Sequence, residues 1–222
     1  ILKRSKMVDA QHFTQLLIGM MNSENEIRSE AEKQYEAIAL KDKGPLLFKH
    51  YLISSADVES RSLALVLLRR LLSNSYEEFF TETQIQKDQF HNEFIVCING
   101  ETEPVLRKRL TDLLAELARN SIDDKTGKQT WTGIMQFLDM CATSDNPTFR
   151  EAGMSLIESV PNVFGSDSFK YIAGIKATQP RFRVLFKTVC CSDNVPFFAA
   201  LRCRQFRADC RCPCLCCVCV RQ

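Results

Sequence analysis

Apolar residues recur three and four positions apart over most of the chain, the spacing that places them on one face of an α-helix. Phe13, Leu16, Leu17, Met20 and Met21 describe a first amphipathic helix over 9–21. Ser23-Glu24-Asn25-Glu26 has the form of a capping box and opens a second helix carrying Ile27, Ala31, Tyr35 and Ile38. Residues 41–44 then make a turn, and Pro45 starts a helix with Leu46, Leu47, Tyr51 and Leu52. Its partner, over 57–72, is apolar nearly all round, as suits a helix packed between neighbours. Phe79 and Phe80 fall in a connector, and a helix over 85–97 places Phe90, Phe94 and Ile98 on one side. Pro104 sits at the first turn of a long helix over 105–120, and the polar stretch 123–129, with Gly127, reads as a loop. Helices over 131–140 and 146–164 follow, the second with Asn146 as N-cap and Pro147 at its first position. Residues 166–176 read as the first helix of a fifth pair.

The second helices share an opening: an arginine with a small or apolar residue three positions on. It occurs as Arg28 with Ala31, Arg61 with Ala64, Arg107 with Leu110 and Arg150 with Gly153. The separations of 33, 46 and 43 residues lie in the period range of HEAT and armadillo repeats. The expected fold is therefore all-α, a right-handed α-α superhelix of about four to five HEAT repeats with an irregular C-terminal tail. Such solenoids present long binding surfaces rather than a catalytic cleft. Arg28, Arg107 and Arg150 read as structural, bonding locally between adjacent units, and Trp131 reads as a packing residue.

Charge and cysteine divide the chain. Residues 1–176 carry 21 Lys/Arg against 25 Asp/Glu, and residues 177–222 carry 8 against 2, so an acidic body adjoins a basic tail. Cys97 and Cys141 sit on apolar helix faces and read as reduced, buried thiols. The other cysteines, from Cys190 onward, crowd the tail, where the helical period dissolves. Alternating Cys and Val there is what a TG dinucleotide repeat would encode, so residues 177–222 read as disordered or out of frame. Metal binding by Cys210, Cys212, Cys214, Cys216, Cys217 and Cys219 is the alternative, although structural zinc sites space their cysteines as two distinct pairs. Residues 1–8 read as a non-native or disordered leader, with Met7 a plausible start. Order is expected to fail after about residue 165, leaving Phe169, Ile172 and Ile175 uncovered.

Enzyme chemistry has no motif to rest on. His12, His50 and His91 stand alone, and no phosphate-binding loop is present. No cofactor is expected. The apolar run 63–72 is interrupted by Arg69 and Arg70 and is too short for a membrane span, so neither membrane nor nucleic acid is an expected partner.

Leu65-Val66-Leu67-Leu68-Arg69-Arg70-Leu71-Leu72-Ser73 with Tyr76-Glu77-Glu78 resembles the N-terminal region of the importin beta (karyopherin beta) family, in its importin-5 branch. Ala115-Glu116-Leu117-Ala118-Arg119-Asn120, leading to Asp123-Asp124 and Gln129-Thr130-Trp131, carries the same resemblance, as do Gln34-Tyr35-Glu36 and Phe164-Gly165. It covers about residues 9–176. The family often has Trp-Pro-Glu where this chain has Trp131-Thr132-Gly133, a departure at a helix start. The resemblance implies a fragment of a nuclear transport receptor working between cytoplasm and nucleus through the nuclear pore. Its implied partners are the GTP form of the small GTPase Ran, import cargo with basic signals and, in the full-length receptor, Phe-Gly nucleoporins. Arg69 is the first candidate for a Ran contact, with Arg70 beside it; Glu116, Arg119 and Asn120 follow by helix register. The arginine pair reads alternatively as a solvated pair that snorkels. A HEAT scaffold for a non-transport complex is the competing class.

Overall fold

Packing of the apolar stripes decides where each helix begins and ends. The computed structural model describes residues 9–123 and 125–160, so the expectations for the leader, for 166–176 and for the tail lie outside the described residues. Within them run eight helices: α1 Ala10–Met20, α2 Asn25–Glu36, α3 Leu40–Tyr51, α4 Val58–Thr83, α5 Lys87–Gly100, α6 Pro104–Asn120, α7 Thr132–Thr143 and α8 Pro147–Ser159. They pack as consecutive antiparallel pairs, α1 on α2, α3 on α4, α5 on α6 and α7 on α8. The second helices α4, α6 and α8 also stack on one another in order, and the first helices α1 and α3, then α5 and α7, meet alongside. A single ladder contact, Ile122 with Gln129, closes the loop before α7, and Gly127 there takes the left-handed φ of 64° that the turn requires.

The core is the predicted stripe. Phe13, Leu17, Leu47, Leu65, Leu68, Leu72, Phe94, Leu110, Leu113, Leu117, Ile134 and Leu156 are buried. Trp131 is buried too, its indole Nε1 donating to Asn92 Oδ1 at 2.9 Å. A Cβ on Gly133 would sit 2.2 Å from that oxygen, so glycine there makes room for the tryptophan's bond. Asn146 caps α8 as expected, accepting from the Thr148 amide at 3.0 Å, with Pro147 at the first position.

Four expectations need correcting. Ser23 forms no capping box: the first residue of α2 is Asn25, and it is Asn22 Oδ1 that accepts from the Glu24 amide. Ile27 points outward at 43% exposure while Ala31, Tyr35 and Ile38 are buried. Residues 41–44 are helical, and Pro45 lies inside α3. Gly44 is there for close approach, since a Cβ would come within 2.3 Å of the Phe79 ring. Phe79 and Phe80 belong to α4, which continues to Thr83 past one non-helical residue, Ser75 (φ −140°, ψ 40°). Both rings are buried, in edge contact with each other at 5.1 Å, and Phe80 meets Phe90 at 5.6 Å. Aromatic pairs of this kind contribute about 0.5–1.5 kcal/mol beyond area burial, enough to hold the connector in helical form. The other ends shift by a few residues, and α8 ends at Ser159, with 161–164 outside the described residues.

The repeated arginine has a consistent place. Arg28 Nη1 donates to Asn22 O at 3.3 Å, Arg61 Nε to Tyr51 O at 2.9 Å, Arg107 Nη2 to Glu101 O at 2.9 Å, and Arg150 Nη1 to Ser144 O at 2.9 Å and Asp145 O at 2.8 Å. Three of the guanidinium groups reach back into the turn that precedes their own helix, and that of Arg61 reaches the last residue of α3. These bonds lie within a repeat rather than between adjacent repeats, which corrects the expectation for Arg28, Arg107 and Arg150. Arg61 does both, because its Nη2 also meets Glu101 Oε2 of the next repeat at 3.1 Å.

Two predictions follow from buried polar groups. The Glu101 carboxylate, 6% exposed, accepts from Arg61, from Tyr51 Oη at 3.0 Å and from the amides of Thr102 and Glu103 at 3.1 Å. Glu101→Ala strands the Arg61 charge, 14% exposed, and should cost on the order of 3 kcal/mol in urea unfolding. His91 is buried with Nε2 on Tyr76 Oη at 3.0 Å and Nδ1 without a partner among the described residues. Burial first, and the Lys87 charge second, push its pKa down from 6.5 to about 4. The unfolded chain therefore takes the proton first. His91's contribution is complete above about pH 6.5 and is lost as pH falls toward 4, by roughly 2–3 kcal/mol. Urea midpoints between pH 7 and 4.5 should fall less steeply for His91→Phe than for the native chain.

Candidate functional site

α4 carries its core residues Ala64, Leu65, Leu68, Leu71 and Leu72 on one side, and helical geometry turns residues 69 and 70 away from them. Arg69 and Arg70 are accordingly exposed. Neither takes part in an ion pair or hydrogen bond among the described residues. Arg70 lies near enough to Tyr35 of α2 for its charge to act on the phenol, whose pKa is nevertheless pushed up to about 12, by burial first and Glu36 second. Adjacent residues on a helix diverge by about 100°, so the two guanidinium groups flank the outer face of α4 from either side. Planar donor forks with no internal acceptor suit carboxylates on another molecule.

The α6 residues are placed differently. Arg119 Nη1 pairs with Glu116 Oε2 at 2.7 Å and its Nη2 donates to Ser159 O, the last residue of α8, at 3.2 Å. Asn120 Nδ2 donates to Glu116 O at 3.0 Å and to its Oε1 at 3.3 Å. Glu116, Arg119 and Asn120 thus meet in one cluster that ties α6 to the end of α8, and no ion pair or hydrogen bond joins them to Arg69 or Arg70 among the described residues. A cation at a helix C-terminus also complements the partial negative charge of its free carbonyls.

One set of charged residues escaped sequence reasoning. Asp112 pairs with Lys108 at 3.7 Å and Arg109 at 3.8 Å, and Arg109 Nε donates across to Ser62 Oγ of α4 at 3.3 Å. The signal was available in the i+3 and i+4 spacing on α6. Burial pushes the Cys97 thiol up to about 11 and that of Cys141 to about 12, which leaves both as poor nucleophiles. Among the described residues no three His, Cys, Asp or Glu side chains gather as a metal site, and no helix is long and apolar enough to cross a membrane. The cysteines from Cys210 to Cys219 lie outside the described residues.

Residues 102–180, which include α6, α7 and α8, match the family described as IPO5-like, TPR repeats. Over those residues the chain resembles importin-5-like repeats. Two solved structures show the same helical-pair fold. The crystal structure of Kap121p bound to RanGTP matches with a TM-score of 0.55 at 21% identity, over 82% of this chain and 19% of that one. Karyopherin Kap121p bound to the SUMO protease Ulp1p matches with a TM-score of 0.54 at 20% identity, over 82% of this chain and 20% of that one. The chain spans about a fifth of the length of these structures. Among the described residues, then, these charges are of two kinds: the α6 cluster, which is engaged in holding repeats together, and the α4 pair, which is free of such bonds. Arg119→Ala should cost only about 0.5–1 kcal/mol, since the side chain is 46% exposed. Its clearest signature should be faster amide exchange in the last turn of α8, with exchange in α4 unchanged.

Proposed function

We propose that these repeats belong to a nuclear transport receptor that shuttles between cytoplasm and nucleus, and that they bind Ran in its GTP form. The observation that carries this reading is the exposed, unpaired Arg69 and Arg70 on a second helix of an importin-5-like repeat array. The likeness to Kap121p, solved with RanGTP, supports the choice of partner. Arg69 is the first contact and Arg70 the second. Glu116, Arg119 and Asn120 contribute at the edge, with Arg119's remaining donors after its bonds to Glu116 and Ser159. The activity is binding, without catalysis.

Cargo is a second partner. Residues 1–176 are net acidic, which attracts cargo with basic signals over distance and does so less at high salt. Phe-Gly nucleoporins would engage the full-length receptor.

Binding of the full chain to Ran loaded with GTP or with GDP tests the proposal. GTP-loaded Ran should bind preferentially, and Arg69→Ala with Arg70→Ala should weaken it at least about tenfold, equivalent to roughly 1.4 kcal/mol. Equal binding of both nucleotide forms, or none, would favour a scaffold for some other complex.

A further inference from the structure

Ser73 lies one helical turn beyond Arg69 and Arg70, at i+4 from the first and i+3 from the second. On a helix those spacings make neighbours of side chains, and residue 73 falls between the directions taken by 69 and 70. All three are exposed. The Ser73 hydroxyl has no hydrogen-bond partner among the described residues. The same local pattern occurs at Thr111, which follows Arg107 and Lys108 at four and three residues, but Thr111 is 4% exposed and its hydroxyl donates to Arg107 O at 3.0 Å. Arg107 is itself engaged with the carbonyls of Glu101 and Thr102. The comparison separates a hydroxyl that an enzyme can reach, with unspent arginines beside it, from one that is enclosed.

We propose that Ser73 is a phosphorylation site for a protein kinase that reads arginines three and four residues before its acceptor, and that Arg69 and Arg70 then hold the phosphate. Ser73 Oγ forms the new bond to the γ-phosphorus of ATP. The bond from that phosphorus to the β–γ bridging oxygen breaks, and ADP leaves with its electron pair. The hydroxyl proton passes to the kinase's base and on to water. Access is favoured by the helix break: Ser75 departs from helical φ/ψ two residues on, so Ser73 sits in the last turn of a helical segment rather than in mid-helix. A phosphate there opposes the partial negative charge of that segment's free carbonyls. Two guanidinium groups outweigh this, because a phosphate of charge about −1.5 to −2 with three acceptor oxygens can take a fork from each arginine.

The product cancels the only cluster of unpaired arginines that the described part of α4 presents. For the proposed Ran contact this is an off-switch, a consequence that rests on that reading; the site itself does not. The test accordingly contains no GTPase. The full chain is incubated with an arginine-directed kinase and ATP, and phosphopeptides are mapped by mass spectrometry. Phosphate should appear on Ser73 and vanish in S73A. Separately, phosphoserine is placed at position 73 during translation and its 31P resonance is titrated. Pairing with the arginines should lower the second phosphate pKa by about half a unit or more from its ordinary value near 6, and R69Q with R70Q should restore that value. Modification confined to other residues, or identical titrations with and without the arginines, would overturn the proposal.

Discussion

The bond from each second-helix arginine to carbonyls of the preceding turn, or at Arg61 of the preceding helix end, is the constraint around which the repeats are arranged. Those carbonyls have no partner in the helix or turn that carries them, and an unmet acceptor in a partly buried turn costs more than an ordinary hydrogen bond returns. A guanidinium answers this with several donors in one plane, so a single side chain at position 28, 61, 107 or 150 fixes how its helix leaves the turn. At Arg61 the same group reaches Glu101, whose carboxylate also organises the next turn through the amides of Thr102 and Glu103. Two repeats are thereby joined by one buried acid. Packing along the α4, α6 and α8 stack then follows from hairpins whose opening angles are already set.

This constraint also sorts the charges. An arginine bound to turn carbonyls and a buried glutamate is desolvated and has nothing left to offer a partner. Arg119 stands midway, with its fork divided between Glu116 and the end of α8. Arg69 and Arg70 retain their donors because α4 turns them away from the seam. Lys87 is a further contrast, a lysine with a 42% exposed side chain that pairs with Glu77 at 2.7 Å while lying over the Tyr76 ring at 4.9 Å. Exposure alone does not leave a charge free for a partner; exposure without an internal acceptor does.

Periodicity made the helices and most of their buried faces legible before any coordinates, because a stripe of Leu and Phe three and four apart has few other uses. The boundaries were misread where one residue type serves two purposes. Gly44 and Pro45 carry the signature of a turn, yet the glycine is small so that the Phe79 ring can lie against α3. Phe79 and Phe80 follow Ser73-Asn74-Ser75, which looks like the end of a helix, but burial against Phe90 carries the backbone through the break and onward to Thr83. At α2 the expected serine cap is not formed: the N-cap position falls to Glu24, without a side-chain cap bond, and the Asn22 carboxamide accepts from the Glu24 amide in the turn before the helix. Glu116, Arg119 and Asn120 were grouped by register as contact candidates, but their mutual bonds are a matter of rotamer and neighbour, to which sequence spacing is blind.

Two exposed arginines cannot by themselves supply a stable complex. A specific protein interface covers about 800 Å² on each partner, and side chains this open to solvent are screened within about 8 Å at physiological salt. Their natural contribution is to the rate of encounter and to the exclusion of partners with a basic face. Affinity would come from apolar and hydrogen-bonded contacts distributed over several second helices, a surface that grows with every repeat added to the stack. On the proposed reading, charge on α4 would therefore act as a point of control, changing how often partners meet, while packed contacts elsewhere on the repeats would decide how long they remain.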